Sequence, residues 1–194
     1  MLNKLREALR PYMEGLGRSV AKTRLSPLVW SLLGLFFAFL SAFFYSLPMY
    51  YSLLLGGAFL LISGFTDIID GMVARLTGKV SDRGSFLDSN FDRIAEIAVF
   101  SGMVYGKKVD PFLAIITLSL SLLVSYSRAK GEALSIKMMG VGFGERAERI
   151  ILLALFSFLS LINFELLNLG LLIILVLSAL TFLQRVKHIL KSLP

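Results

Sequence analysis

Cysteine is absent from the 194 residues, which excludes disulfides, thiolate metal ligands and cysteine nucleophiles. Histidine occurs once, as His188 in a basic tail, where a lone imidazole reads as a solvated interfacial residue. With no cysteine and a single histidine, nitrogen–sulfur metal sites lack a ligand set, and nucleophile–base pairs of the Ser–His or Cys–His kind lack a base. Charge is also scarce, at 17% of residues, while 56% are hydrophobic and the mean hydropathy is +0.78. Soluble domains carry about 25% charged and about 45–50% apolar residues, so the composition is that of a membrane protein. The formal charge of +7 does not imply nucleic acid here, because basic residues flanking membrane spans account for it. No internal repeat or low-complexity segment is visible.

The apolar runs predict an all-α integral membrane protein with six transmembrane helices behind an N-terminal interfacial amphipathic helix. Residues 1–24 form the juxtamembrane part, and residues 25–194 the membrane domain. From Met1 to about Val20, Leu2, Leu5, Leu9, Met13 and Leu16 recur three or four residues apart among Lys4, Arg6, Arg10 and Arg18. Their scatter leaves no continuous core for a secretory signal. The spans are expected at about Pro27 to Leu47, Tyr50 to Leu76, Gly84 to Tyr105, Phe112 to Tyr126, Arg149 to Ile162 and Leu166 to Leu183. The fourth continues as helix through Ser127 to Glu132, and a glycine-rich loop, Gly140 to Gly144, precedes the fifth. Six spans put both termini on one side, which then holds 17 of the 20 Lys and Arg residues and is expected to be cytoplasmic. A multi-pass location in the cell membrane follows.

Against this background Asp67, Asp70, Asp88 and Asp92 stand out. An ionised group at membrane depth costs a few kcal/mol or more unless it is paired, solvated or metal-bound, about 2.5–3.5 kcal/mol on insertion scales. Asp67 and Asp70 are i,i+3 and Asp88 and Asp92 are i,i+4, so each pair leaves one face of its helix and two helices can converge all four. Hard oxygen donors favour Mg²⁺, Mn²⁺ or Ca²⁺. Asp70 falls roughly 9 Å inside the expected helix end, at about 1.5 Å per residue, the depth of lipid headgroups. Gly71 and Ala74 remove bulk beside the acids and Arg75 adds a planar cation, a combination suited to a pyrophosphate. Glu96, one turn after Asp92, extends the acidic face or pairs with Arg93 or a polar group of another span.

Written with its gaps, the stretch is Asp67-x2-Asp70-Gly71-x2-Ala74-Arg75, eight residues, then Gly84-x3-Asp88-x3-Asp92. It resembles the signature of the CDP-alcohol phosphotransferases, membrane enzymes that move a phosphatidyl-type group from a CDP-linked lipid to an alcohol, and matches it at every position. The resemblance implies two ions, Mg²⁺ or Mn²⁺, ligated by Asp67, Asp70, Asp88 and Asp92. Asp92 is also implied as proton acceptor for the attacking hydroxyl. It implies that Gly71, Ala74, Arg75 and Ser81 meet the cytidine nucleotide and its phosphates, and that the enzyme is a homodimer in the bilayer. Family members often place Pro-Asn or Pro-Asp and then Thr before the first span; here Leu28 follows Pro27, and Ser31 takes the threonine position beside the CDP-lipid.

For the acceptor, Ser125, Arg128 and Glu132 fall at i, i+3 and i+7 on one helix face, and Arg146 and Arg149 are i,i+3 where the fifth span begins. Such a basic group can bind a phosphate, or can simply flank the spans on the cytoplasmic side. The stretches SYSRAKGEA and GERAER are similar to the branch of the family that uses inositol phosphate, the phosphatidylinositol phosphate and archaetidylinositol phosphate synthases. That likeness implies Ser125, Arg128 and Arg149 as acceptor contacts, with Arg146 beside them. Arg128 stands where bacterial members tend to have lysine, and Ala147 where they tend to have proline. The expected reaction is therefore phosphatidyl or archaetidyl transfer to inositol 1-phosphate with release of CMP. Alternatives are another acceptor, such as glycerol phosphate, serine, or inositol phosphate joined to CDP-inositol, and, outside enzymology, a divalent cation transporter.

Overall fold

A computed structural model describes Val20, Thr23 and residues 25–193. The amphipathic helix expected from Met1 to about Val20 thus lies outside the described residues, apart from its last residue. Val20 packs with Trp30 against Ile69, Met72 and Val73. The described residues form six helices and no strand: α1 Pro27–Ser46, α2 Ser52–Leu76, α3 Asp82–Tyr105, α4 Pro111–Ala133, α5 Arg146–Leu159 and α6 Leu166–Ser192.

The helix starts follow from local chemistry. Ser26 caps α1 by accepting from the Val29 amide, with Pro27 at the first helical position. Asp110 and Pro111 repeat the arrangement at α4, where Asp110 Oδ1 accepts from Leu113 N at 2.7 Å. At α5, Glu145 and Glu148 form a reciprocal capping box. That box starts α5 at Arg146, three residues before the expected Arg149, and the helix ends at Leu159 instead of Ile162. Its 14 residues make α5 short for a span: at about 1.5 Å per residue it reaches about 21 Å, against a hydrocarbon core of about 30 Å.

Among the described residues four helices are long and apolar enough to cross a membrane by length and composition: α1, α2, α4 and α6. They make the chain an integral membrane protein. Six helices stand where six spans are expected, and these four meet the length and composition of a span by themselves, whereas α5 is short and α3 carries Asp82, Arg83, Asp88, Asp92, Arg93 and Glu96. The last helix also runs on to Ser192, beyond the expected Leu183, since Arg185 turns inward and is 3% exposed.

In the bundle α1 lies against α2 and α3, α2 against α5, α4 against α6 and α3, and α5 against α6. The core brings Tyr45, Leu53, Met103, Leu167, Leu171 and Ile174 together. Close approach depends on small residues, as expected where lipid supplies no hydrophobic drive between helices. A Cβ on Gly102 of α3 would overlap the Ala42 carbonyl of α1. Buried hydroxyls bridge helices as well: Tyr45 Oη and Ser157 Oγ are 2.6 Å apart, and Ser63 Oγ donates to the Gly34 carbonyl at 2.8 Å. The α1–α2–α3 packing places the end of α2 beside the start of α3, where the acids lie.

Candidate metal centre and active site

One carboxylate oxygen from each of Asp67, Asp70 and Asp88 lies within 4.8 Å of the other two. Two come from adjacent turns of α2 and the third from the first half of α3, the convergence that the spacing predicts. Ser31 on α1 donates to Asp70 Oδ2 at 2.5 Å and so fixes the buried member of the trio. Three clustered carboxylates with one hydroxyl contact suit a hard cation: the donors are all oxygen, and their mutual repulsion is relieved by positive charge.

Asp92 stands outside this trio yet lines the same small cavity with Ser31, Asp67, Asp88 and Arg146. Its Oδ1 is 2.7 Å from Arg146 Nη1, and the same nitrogen is 2.9 Å from Asp67 Oδ2. A single guanidinium nitrogen from the start of α5 therefore joins an acid of α2 to an acid of α3. Arg93 Nη1 approaches Asp92 Oδ2 at 3.2 Å and donates to the Ser89 carbonyl at 2.8 Å.

With the geometry in place, comparison with known proteins is decisive for family. Residues 25–183 match the family model described as CDP-alcohol phosphatidyltransferase. The chain belongs to this family. It is 33% identical over 193 residues to the archaetidylinositol phosphate synthase of Pyrococcus horikoshii, covering 100% of this chain and 98% of the relative. To the Aeropyrum pernix protein of the same name it is 41% identical over 128 residues, 66% of this chain and 63% of that one. The crystal structure of Mycobacterium tuberculosis phosphatidylinositol phosphate synthase with CDP-DAG bound superposes with a TM-score of 0.77 at 28% identity, covering 91% and 92% of the two chains. A second structure of that enzyme, in complex with manganese and citrate, gives 0.76 at 27% identity over 92% and 88%. As a CDP-alcohol phosphatidyltransferase the chain is an enzyme, which displaces the cation-transporter alternative.

The remaining residues of the phosphatidyltransferase signature sit around the acids in different ways. Arg75 folds back over Gly71, its Nη1 3.4 Å from the point that a Cβ would occupy there. The bare backbone at Gly71 and the cation above it thus share one spot. Ala74 is half-buried on the same helix. Ser81 caps α3, its Oγ accepting from Gly84 N at 3.1 Å, which is a structural role that the signature spacing alone does not reveal.

The basic residues separate into two settings. Arg128 is half-exposed and pairs with Glu132 at 2.9 Å, one turn along α4, while Ser125 Oγ turns to the Ser121 carbonyl at 3.3 Å. Arg149 is buried, with Nη1 donating to the Gly144 carbonyl at 2.9 Å and Nη2 at 2.8 Å from Glu96 Oε1. Glu96 thereby takes a partner on another span. Arg185, two residues beyond the expected end of the last span at Leu183, is buried within electrostatic reach of Arg128 and Arg149. It donates to the Val124 carbonyl at 2.6 Å and the Val141 carbonyl at 3.0 Å. Its signal was present in the helical spacing of Ser178, Thr181 and Arg185, a polar stripe on the buried face of α6.

Proposed function

We propose that this CDP-alcohol phosphatidyltransferase transfers the phosphatidyl or archaetidyl group of a CDP-linked lipid to inositol 1-phosphate, releasing CMP. The observation that carries the acceptor assignment is the arginine group beside the acids. Among the described residues Arg149 spends two of its five N–H donors, on Gly144 and Glu96, which leaves three for a ligand, with Arg128 and Arg185 close by. A phosphorylated acceptor would find there the planar donors that a neutral alcohol such as serine does not need. The names of the Pyrococcus, Aeropyrum and Mycobacterium relatives support the same acceptor.

Asp67, Asp70 and Asp88 would hold divalent metal, Mg²⁺ or Mn²⁺, with Asp92 completing a second position, and the manganese complex of the Mycobacterium enzyme supports that choice. When bound, such ions neutralise the pyrophosphate and stabilise charge on attacking and leaving oxygens. The chain's own residues do the rest. Gly71 and Ala74 admit the pyrophosphate to the end of α2, Arg75 and Ser81 meet the nucleotide side, and Ser31 keeps Asp70 in place. Asp92 takes the acceptor's hydroxyl proton; the freed oxygen bonds to the lipid-side phosphorus, and the bond from that phosphorus to the bridging oxygen breaks, so that CMP departs with that oxygen.

In the membrane this reading has α3 and α5 completing six spans within the bundle, both termini and the site on the cytoplasmic side, and two copies pairing through their helices. Purified protein supplied with Mg²⁺ or Mn²⁺ should release CMP from CDP-archaeol or CDP-diacylglycerol when inositol 1-phosphate is added, and lose activity on chelation. Faster release with serine or glycerol phosphate would overturn the acceptor assignment.

A further inference from the structure

One turn beyond Asp92, Glu96 divides its two oxygens between different tasks. Oε1 closes the ion pair with Arg149, in which the side chains are 10% and 5% exposed. Oε2 is buried and has no hydrogen-bond partner among the described residues; the same is true of Arg146 Nε and Ser121 Oγ. Glu96, Arg146, Arg149 and Ser121 line one cavity of about 30 Å³ whose other walls are mainly apolar. A water needs about 10–15 Å³ of such space and two to four polar partners, so the cavity suits one or two waters. An acidic oxygen, a guanidinium N–H and a hydroxyl supply the partners.

We propose that Glu96 is a positioning residue for the acceptor phosphate: one oxygen fixes Arg149 directly, and the other fixes Arg146 Nε through water held in the cavity. The inference rests on the acceptor subsite proposed above. Without Glu96, the partners left among the described residues are the Gly144 carbonyl for Arg149 and, through Nη1, Asp67 and Asp92 for Arg146. An amide at position 96 has one accepting oxygen instead of two and no charge: with that oxygen on Arg149 the charge-assisted bond is weakened, and its NH₂ then donates to the cavity water where the carboxylate accepted, so the water must reorient and no longer bridges to Arg146 Nε in the same way.

The sign of the effect separates orientation from charge. Neutralising Glu96 adds a net positive charge beside the subsite, which by itself would tighten an anionic acceptor. A looser acceptor therefore reports lost orientation. In the purified full-length enzyme, Glu96→Gln should raise the KM for inositol 1-phosphate by about tenfold and leave the KM for the CDP-lipid within about twofold. Glu96→Asp, which keeps both oxygens on a shorter arm, should recover at least about half of that loss on a logarithmic scale. If Glu96→Gln does not fold, Glu96→Asp carries the test with an expected rise of about threefold in the acceptor KM alone.

Arg149→Ala, measured alongside, separates the two levels of the argument. A raised acceptor KM in Arg149→Ala with an unchanged or lowered one in the Glu96 variant overturns the positioning role alone. An unchanged acceptor KM in Arg149→Ala overturns the subsite itself. Equal rises for both substrates in the Glu96 variant would mark a general packing role and also overturn the inference.

Discussion

Ser31 Oγ and Asp70 Oδ2 meet at 2.5 Å across the α1–α2 interface, a side-chain hydrogen bond from the first span to the acid trio. A hydroxyl that orients a ligating carboxylate acts on metal affinity through geometry, and loss of such a partner typically costs about 10–100-fold. Ser31→Ala should therefore raise the Mg²⁺ or Mn²⁺ concentration for half-maximal activity by about that factor, while Ser31→Thr, which keeps the hydroxyl, should change it little. A metal titration of initial rates checks both, and equal half-maximal concentrations in Ser31→Ala and the unaltered protein would remove Ser31 from the metal site.

Asp92 differs from the trio in its partners, since Arg146 and Arg93 hold its two oxygens. Two arginines fix the orientation of Asp92 independently of the other three acids, so its position as proton acceptor does not depend on the ligand set alone. Asp92→Asn keeps the shape and removes the base. Its kcat should fall by about 10²–10⁴, the usual contribution of general base catalysis, with the CDP-lipid KM within about threefold. Saturation kinetics in both substrates decide it; a kcat within tenfold of the unaltered enzyme would assign the proton elsewhere.

How much of this was legible beforehand differs by residue. Asp67, Asp70, Asp88 and Asp92 were readable because charge is scarce in the apolar runs and helical spacing fixes which side chains share a face. Arg146 was not readable at its observed place: spacing assigns a face of α5 but not the neighbour it meets, so the bridge from Asp67 to Asp92 appears only once α2, α3 and α5 are packed. Arg185 was passed over for a related reason. A basic residue after an apolar run looks like the end of a span, and only the α4–α6 packing shows that its guanidinium turns inward to backbone carbonyls. The short α5 and the mixed α3 likewise depend on their neighbours for burial, which local hydropathy cannot report.

Gly102 tests that packing directly. Because the atoms a Cβ would overlap belong to the α1 backbone at Ala42, the side chain cannot be accommodated by a rotamer change and the helices must part. Forced overpacking costs about 1–3 kcal/mol, so Gly102→Ala should lower the thermal midpoint in detergent measurably, and Gly102→Val should lower it further. An unchanged midpoint in Gly102→Val would mean that α1 and α3 are less closely packed than this structure has them.

Arg185 links stability to acceptor binding. Its guanidinium ties the Val124 carbonyl of α4 to the Val141 carbonyl of the glycine-rich loop, and that loop carries Gly144, whose carbonyl holds Arg149 Nη1. Gly142, at φ +107, lies against Thr181 and close to Arg185 Nε, so the loop is seated in a conformation that favours glycine. Arg185→Ala would leave the part-buried Val141 carbonyl short of a donor, at about 1–3 kcal/mol before relaxation, while Ser127 Oγ still serves the Val124 carbonyl, and would free the loop. The expected outcome is a lowered thermal midpoint together with a rise of about tenfold in the inositol 1-phosphate KM and little change for the CDP-lipid. Arg185→Lys, with one nitrogen in place of a fork, can reach one carbonyl but not both, and should recover stability more than acceptor affinity. If Arg185→Ala lowers the midpoint and leaves the acceptor KM unchanged, the loop does not communicate with Arg149 and the arginine serves the fold alone.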